Sequence, residues 1–181
     1  MNPRSYLDEG IVLARRNYSE ADRILSVFCR KNGRLSLLAK GTRKPSSRKR
    51  GHIEVFSHIK FQASRTKGID MVTEVDTLEN FKNIRLSLKR ASLAYYFMEA
   101  VGRSTREGEG HQDLFDLIKD YLSRLEKENT LKQLKTDFIY SLLTTLGFWP
   151  RGKVLQNPEE KLEEIIERRL SSERVGKRIF E

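Results

Sequence analysis

The chain has 181 residues, 38% hydrophobic and 33% charged, with 35 Lys+Arg against 25 Asp+Glu and a formal net charge of +10. That apolar fraction builds one or two small cores and excludes a wholly disordered basic tail. No run reaches the roughly 20 apolar residues of a membrane span, Met1–Gly10 (MNPRSYLDEG) lacks the apolar block of a signal peptide, and the single Cys29 can close no internal disulfide and has no C-x-x-C partner for zinc; the expectation is a cytoplasmic protein with no membrane contact, metal or cofactor.

Up to about Asp76 the apolar period is two, the mark of half-buried strands. The first strand is the opening run Gly10–Arg16. Ile24–Arg30 and Arg34–Ala39 follow, joined by Asn32-Gly33, both of which tolerate the positive φ of a tight hairpin turn. Gly41–Gly51 (GTRKPSSRKRG) offers nothing apolar to a core and reads as a basic, mobile loop. Ile53, Val55, Ser57, Ile59, Phe61 and Ala63 alternate with Glu54, Phe56, His58, Lys60 and Gln62 as one strand, and Ile69–Asp76 alternates again after the polar link Ser64–Gly68. Five short strands with no long helix among them predict a small barrel of OB type over residues 1–80.

From Phe81 the period changes to about 3.6. Leu93, Phe97 and Val101 share one face; Leu114, Ile118, Tyr121, Leu122 and Leu125 form a second stripe; Leu131, Leu134, Phe138, Leu142 and Leu146 form a third. Short links make these three helices near neighbours in a bundle, and Gly147 and Pro150 end the last. Asn157-Pro158-Glu159-Glu160 is a helix start, with Asn157 as N-cap and Pro158 at the first position, for a helix running to about Leu170. Ser171–Glu181 is polar and expected to be loose. The fold class is therefore α+β in two domains, an OB barrel over 1–80 and an α-helical bundle with a short extension over 81–181.

The charge is concentrated. Between Arg30 and Lys67 stand twelve basic residues against one acid, Glu54. A field so localised points to a polyanion, nucleic acid first. Arg43, Lys44, Arg48, Lys49 and Arg50 lie in the loop, with Arg34, Lys40 and Lys60 on adjoining strands. A positive groove along the barrel is expected to neutralise phosphates, with Tyr18, Phe56 or Phe61 as the ring for an unstacked base. Such a groove binds single strands with little sequence preference and brings two strands together by cancelling their repulsion, which is annealing without chemistry. On the helices, Lys119, Arg124, Lys132 and Lys135 beside Leu122, Leu131 and Phe138 could rim an apolar groove for an acidic peptide. The simpler reading of the same residues is exposed lysines over a bundle core.

Other constellations carry less. Glu74 and Asp76 share a strand face and could hold Mg²⁺ in a nuclease, but a solvated strand face is the favoured reading and the nuclease ranks far behind. His52, His58 and His111 lack ligand spacing, and exposed imidazoles are expected at the first two. Lys40-Gly41-Thr42 lacks the preceding glycine and the following helix of a phosphate loop. Cys29 reads as a small core residue. No residue is assigned to catalysis, and the protein is expected not to be an enzyme.

Gly10-Ile11-Val12-Leu13, Tyr18-Ser19-Glu20-Ala21-Asp22-Arg23-Ile24-Leu25, Gly33-Arg34-Leu35, Ala39-Lys40-Gly41-Thr42-Arg43-Lys44 and Ser47-Arg48, in this order, resemble the RecO family of bacterial recombination mediators. The resemblance extends through Leu114-Phe115-Asp116-Leu117 to the run Phe138–Phe148, with its Leu-Gly-aromatic turn, and covers about residues 8–150. It implies an OB barrel followed by a helical domain, binding to single- and double-stranded DNA, annealing, and cooperation with RecR. It also implies docking on the acidic C-terminal tail of the single-strand-binding protein and help in loading RecA. By the same resemblance Lys40, Arg43, Lys44 and Arg48, with Arg34 ahead of them, match the family's DNA-binding segment. Many relatives carry a four-cysteine zinc module after the Leu-Gly-aromatic turn; Arg151–Glu181 has no cysteine, so zinc is not expected there. The rival reading is an RNA-binding OB-fold protein, which a preference for the 2′-hydroxyl would favour.

Overall fold

The computed structural model describes residues 4–166; the expected helix end at Leu170 and the tail Ser171–Glu181 lie outside the described residues. Strands β1 (Ser5–Tyr18), β2 (Asp22–Cys29), β3 (Gly33–Ala39), β4 (His58–Ser64) and β5 (Asp70–Glu79) form a closed barrel in the order β1-β2-β3-β5-β4. Neighbours are antiparallel except β3 and β5, which run parallel through Leu37 opposite Asp70 and Leu38 opposite Met71. β1 starts at Ser5, not Gly10, because one long strand serves two neighbours. Its first half pairs β4, its second half pairs β2, and a bulge between Val12 and Ala14 accommodates the bend.

Alternation decides what fills the barrel. Val12, Leu25, Val27, Leu37, Ile59 and Phe61 point inward with Cys29 among them, all but dry. Burial pushes the Cys29 thiol far above its usual range, which leaves it an inert core group.

The alternation expected from Ile53 to Ala63 becomes a strand only at His58. Upstream the chain makes a single 3-10 turn (Arg50–His52), and Phe56 takes a left-handed φ of 55°. The turn is pinned to the β1 bulge, since Phe56 N donates to Val12 O (2.7 Å) and Val12 N donates to Ser57 O (3.1 Å). One left-handed residue resets the period of two. Ile53 enters the barrel core, whereas Val55 and Phe56 turn out toward the helices.

Helices α1 (Lys82–Arg85), α2 (Leu88–Ser104), α3 (Gln112–Lys127), α4 (Leu131–Thr145) and α5 (Pro158–Ile166) follow. Ser87 caps α2 through the Arg90 N–H, and His111 Nδ1 caps α3 through the Leu114 N–H at 3.3 Å. The three predicted stripes meet at Phe97 and Phe138, stacked with centroids 3.9 Å apart, with the Tyr121 ring edge-on to both. Arg90 closes the end of α3 by donating to the carbonyls of Leu125 and Glu128. At α5 the Asn157 carbonyl accepts from Lys161 N (3.1 Å), and the Asn157 amide donates to Glu160 (2.9 Å). Among the described residues no helix is long and apolar enough to cross a membrane.

The barrel and the helices share one apolar cluster. Ile11, Leu13, Phe28, Val55 and Phe56 on the barrel side pack with the helical core residues. A strap after α2 adds a second tie: Gly108 N donates to Arg34 O (2.8 Å), and Ser36 N donates to Glu107 Oε1 (2.7 Å). The strap comes so close that a Cβ on Gly33, at φ +65°, would sit 1.8 Å from Glu109 O. Only glycine serves there. It covers the part of β3 that β5 does not pair.

Candidate nucleic-acid interface

β3 ends at Ala39 and delivers the chain directly into the basic loop. Turns shape that segment, and its start is hydrogen-bonded to the rest of the barrel. Thr42 is buried and its hydroxyl donates to Ala39 O (3.0 Å), Gly41 N donates to Asp22 Oδ1 (2.8 Å), and Arg43 N donates to Ala21 O (2.9 Å). Arg43 Nη1 also donates to Ser19 O at 3.0 Å. The start of the loop is thus bound to the β1–β2 turn, and Lys40, Arg43, Lys44, Arg48 and Arg50 remain exposed.

Beside them a cleft of about 360 Å³ lies between the β1–β2 and β4–β5 turns, lined by Tyr18, Leu38, Lys40, Thr66, Ile69 and Met71. Tyr18 is 49% exposed, so its ring is accessible. Loops in these positions are where OB barrels take oligonucleotides. Phe56 and Phe61 are both buried, in the seam and the barrel core respectively, so neither can serve as a base platform.

Strand pairing adds cations that lie far apart in the sequence. Arg23 stands in the field of Arg15, Arg43 and Arg50, with Glu54 as the nearby acid; burial first, and then Arg15, hold its guanidinium below its usual pKa. Arg15 is bonded to Glu54 at 2.6 Å. The other predicted residues are dispersed. Lys49 Nζ donates to Val72 O (3.1 Å) on β5. Arg34 faces the seam with α2, away from the loop. Lys60 lies on β4 opposite Asp76 on one side and Glu9 on the other. Arg15 and Arg23 escaped the sequence reading because only the β1–β2 hairpin brings them to the loop.

The helical lysines face different neighbours. Lys119 on α3 acts on His58 of the barrel. Lys135 on α4 is paired with Glu159 at 2.8 Å and lies over the Tyr96 ring at 4.5 Å, and Lys132 is exposed.

The histidines have structural partners. His58 was expected to be exposed but is only 3% so, because β4 turns it into the seam, where Nε2 meets Glu9 Oε2 at 3.2 Å and the ring lies edge-on to Phe115. Glu9 is shared with Arg30 (2.6 Å), which also reaches Asp116 (2.9 Å). Burial, and then Lys119, hold the His58 pKa below the ordinary imidazole range despite Glu9. His52 Nδ1 accepts from Thr77 N (3.1 Å). Glu74 and Asp76 are exposed on β5, and among the described residues no group of three His, Cys, Asp or Glu could hold a metal.

Two family patterns match in tandem: "Recombination protein O N terminal" over residues 1–81 and "Recombination protein O C terminal" over residues 85–154. The chain belongs to the RecO family. It is 36% identical over 145 residues to the DNA repair protein RecO of Pelotomaculum thermopropionicum, covering 80% of this chain and 56% of that one. It is 30% identical over 160 residues to the DNA repair protein RecO of Dehalococcoides mccartyi, covering 88% and 63%, and 34% identical over 145 residues to that of Desulforamulus reducens, covering 80% and 56%. The alignments span 56–63% of these RecO relatives' own lengths. The first pattern ends two residues after β5, and the second begins at the last residue of α1.

Proposed function

We propose that this chain acts in DNA repair and recombination as a non-enzymatic mediator. It binds single- and double-stranded DNA through the barrel, anneals complementary strands, and helps to load the RecA recombinase onto DNA coated with single-strand-binding protein. The observation that carries this reading is the basic loop fixed by Arg43 to the β1–β2 turn, beside the accessible Tyr18 ring. Lys40, Arg43, Lys44, Arg48 and Arg50 are the phosphate contacts, Lys49 supports the loop, and Tyr18 stacks on a base.

The division of labour follows the two parts, DNA on residues 1–80 and protein partners, including RecR, on the helices from residue 81. An acidic tail would dock by Lys132 and Lys135, displacing Glu159 from Lys135. Work at the nucleoid, in the cytoplasm, fits this reading.

The test is annealing of two labelled complementary DNA strands coated with single-strand-binding protein, compared with coating by the same protein lacking its acidic tail. Tail-dependent acceleration is expected. Absence of acceleration on either coating overturns the mediator reading, and tighter binding to RNA of the same sequence assigns the barrel to RNA.

A further inference from the structure

Where the barrel meets α2, the outer faces of β1 and β3 leave a cleft of about 570 Å³, within the roughly 300–1,000 Å³ of small-ligand sites. Its floor is apolar, with Leu13, Val55 and Met98, and its rim carries Arg15, Arg34 and Arg103 against one acid, Glu99. Tyr95 forms one wall, 46% exposed, its ring held edge-on to Phe56 at 5.6 Å. This cleft shares no lining residue with the groove at Tyr18.

Two of the rim cations are already engaged, Arg15 by Glu54 and Arg103 by Glu99. Arg34 differs: its Nε is buried and has no acceptor among the described residues. No carboxylate among the described residues pairs with the Arg34 side chain, so it is the rim cation available to a phosphate seated in the cleft. Arg15 is also the step to Arg23, whose Nη1 is likewise buried without an acceptor and which stands in the field of Arg43 and Arg50. The cations therefore run from the loop through Arg23 and Arg15 into the cleft.

A polymer with one charge on every unit fits such a track, and an accessible ring at its end suits a base, since every base has a π-face to stack. We propose that the cleft is a second nucleic-acid site, taking a strand's phosphates on Arg34 and, by displacing Glu54, on Arg15, and a base on Tyr95 while the Tyr18 groove holds another strand. This rests on the DNA-binding reading above and deepens it. One chain holding two strands side by side is what annealing by juxtaposition requires.

Native mass spectrometry of the full chain with an oligothymidine of about ten nucleotides counts strands per protein. Photocrosslinking with iodouracil-substituted strands locates them. The unaltered protein is expected to carry two strands, crosslinked at Tyr18 and at Tyr95. The double variant Arg34→Gln/Tyr95→Leu is expected to carry one, still crosslinked at Tyr18, with a loss of about tenfold or more in affinity for the second strand. A melting curve checks that the variant is folded, and Arg34→Gln alone, which keeps the Tyr95–Phe56 contact, replaces it if the pair unfolds. One strand on the unaltered protein, or two on the variant, overturns the second site while the barrel reading stands. No strand on any sample overturns both. An oligoglutamate that binds where oligothymidine does not, and is lost in the variant, assigns the cleft to an acidic protein segment instead.

Discussion

Replacing Arg43, Lys44 and Arg48 together by Gln tests whether the basic loop is the phosphate contact. Five loop cations are exposed, Lys40, Arg43, Lys44, Arg48 and Arg50, while Lys49 is held by the Val72 carbonyl. Each single-strand phosphate neutralised contributes about −0.7 to the slope of log K against log salt, so five give about −3.5 and the remaining two about −1.4. Between roughly 50 and 200 mM salt the unaltered protein is expected to lose about two decades of affinity and the variant under one. Fluorescence anisotropy with a short labelled strand, kept below equimolar across a salt series, reads both slopes. Lys44 and Arg48 are exposed, and Arg43 gives up its bond to Ser19 O, so the loss of stability is expected to stay within about 1.5 kcal/mol. An unchanged slope in a folded variant refutes the assignment, since counterion release depends only on how many cations meet phosphates.

Three further outcomes are expected. Phe97→Ala removes a fully buried ring stacked on Phe138, and denaturant unfolding is expected to show a loss of about 3–5 kcal/mol; a loss below 1 kcal/mol would mean that the helical core closes without that pair. Gly33→Ala must carry a methyl at φ +65° into the Glu109 backbone, so a cost above about 1 kcal/mol and faster amide exchange at Gly108 are expected; wild-type stability would place the strap elsewhere. Burial depresses the His58 pKa in the folded chain, so below about pH 6.5 the unfolded state takes up a proton that the folded state refuses, and stability falls with pH. His58→Gln is expected to flatten that part of the stability curve, and an unchanged slope would show that the ring titrates normally.

Much of the architecture is legible from periodicity because burial imposes it. The period-two runs around Val12, Val27 and Leu37 line the barrel, and the stripes through Phe97, Tyr121 and Phe138 converge as their spacing requires. The failures lie where one residue changes the rule. Phe56 adopts a conformation that an aromatic side chain rarely takes, so a reading based on polarity continued the strand through it. The first half of β1 was missed because Leu7 is exposed and Asp8 is buried, the reverse of their polarity. Asp8 accepts from Glu9 N (2.8 Å) and Asn32 Nδ2 (2.6 Å), a role that depends on the distant β2–β3 turn. The loop cations were visible as a run, whereas Arg15, Arg23, Tyr95 and Arg103 gather only when the hairpin and α2 are in place.

The apolar cluster across the seam has a consequence for how the molecule comes apart. Ile11, Leu13, Phe28, Val55 and Phe56 line the barrel's outside yet belong to the core of the helices, so peeling the helices away would present these side chains to water together. Neither part is then expected to show a melting transition of its own. The deepest-protected amides of β1 and α2 are expected to exchange through one shared opening, and a barrel excised after Phe81 would have a sticky flank that promotes self-association before it could meet a strand of DNA.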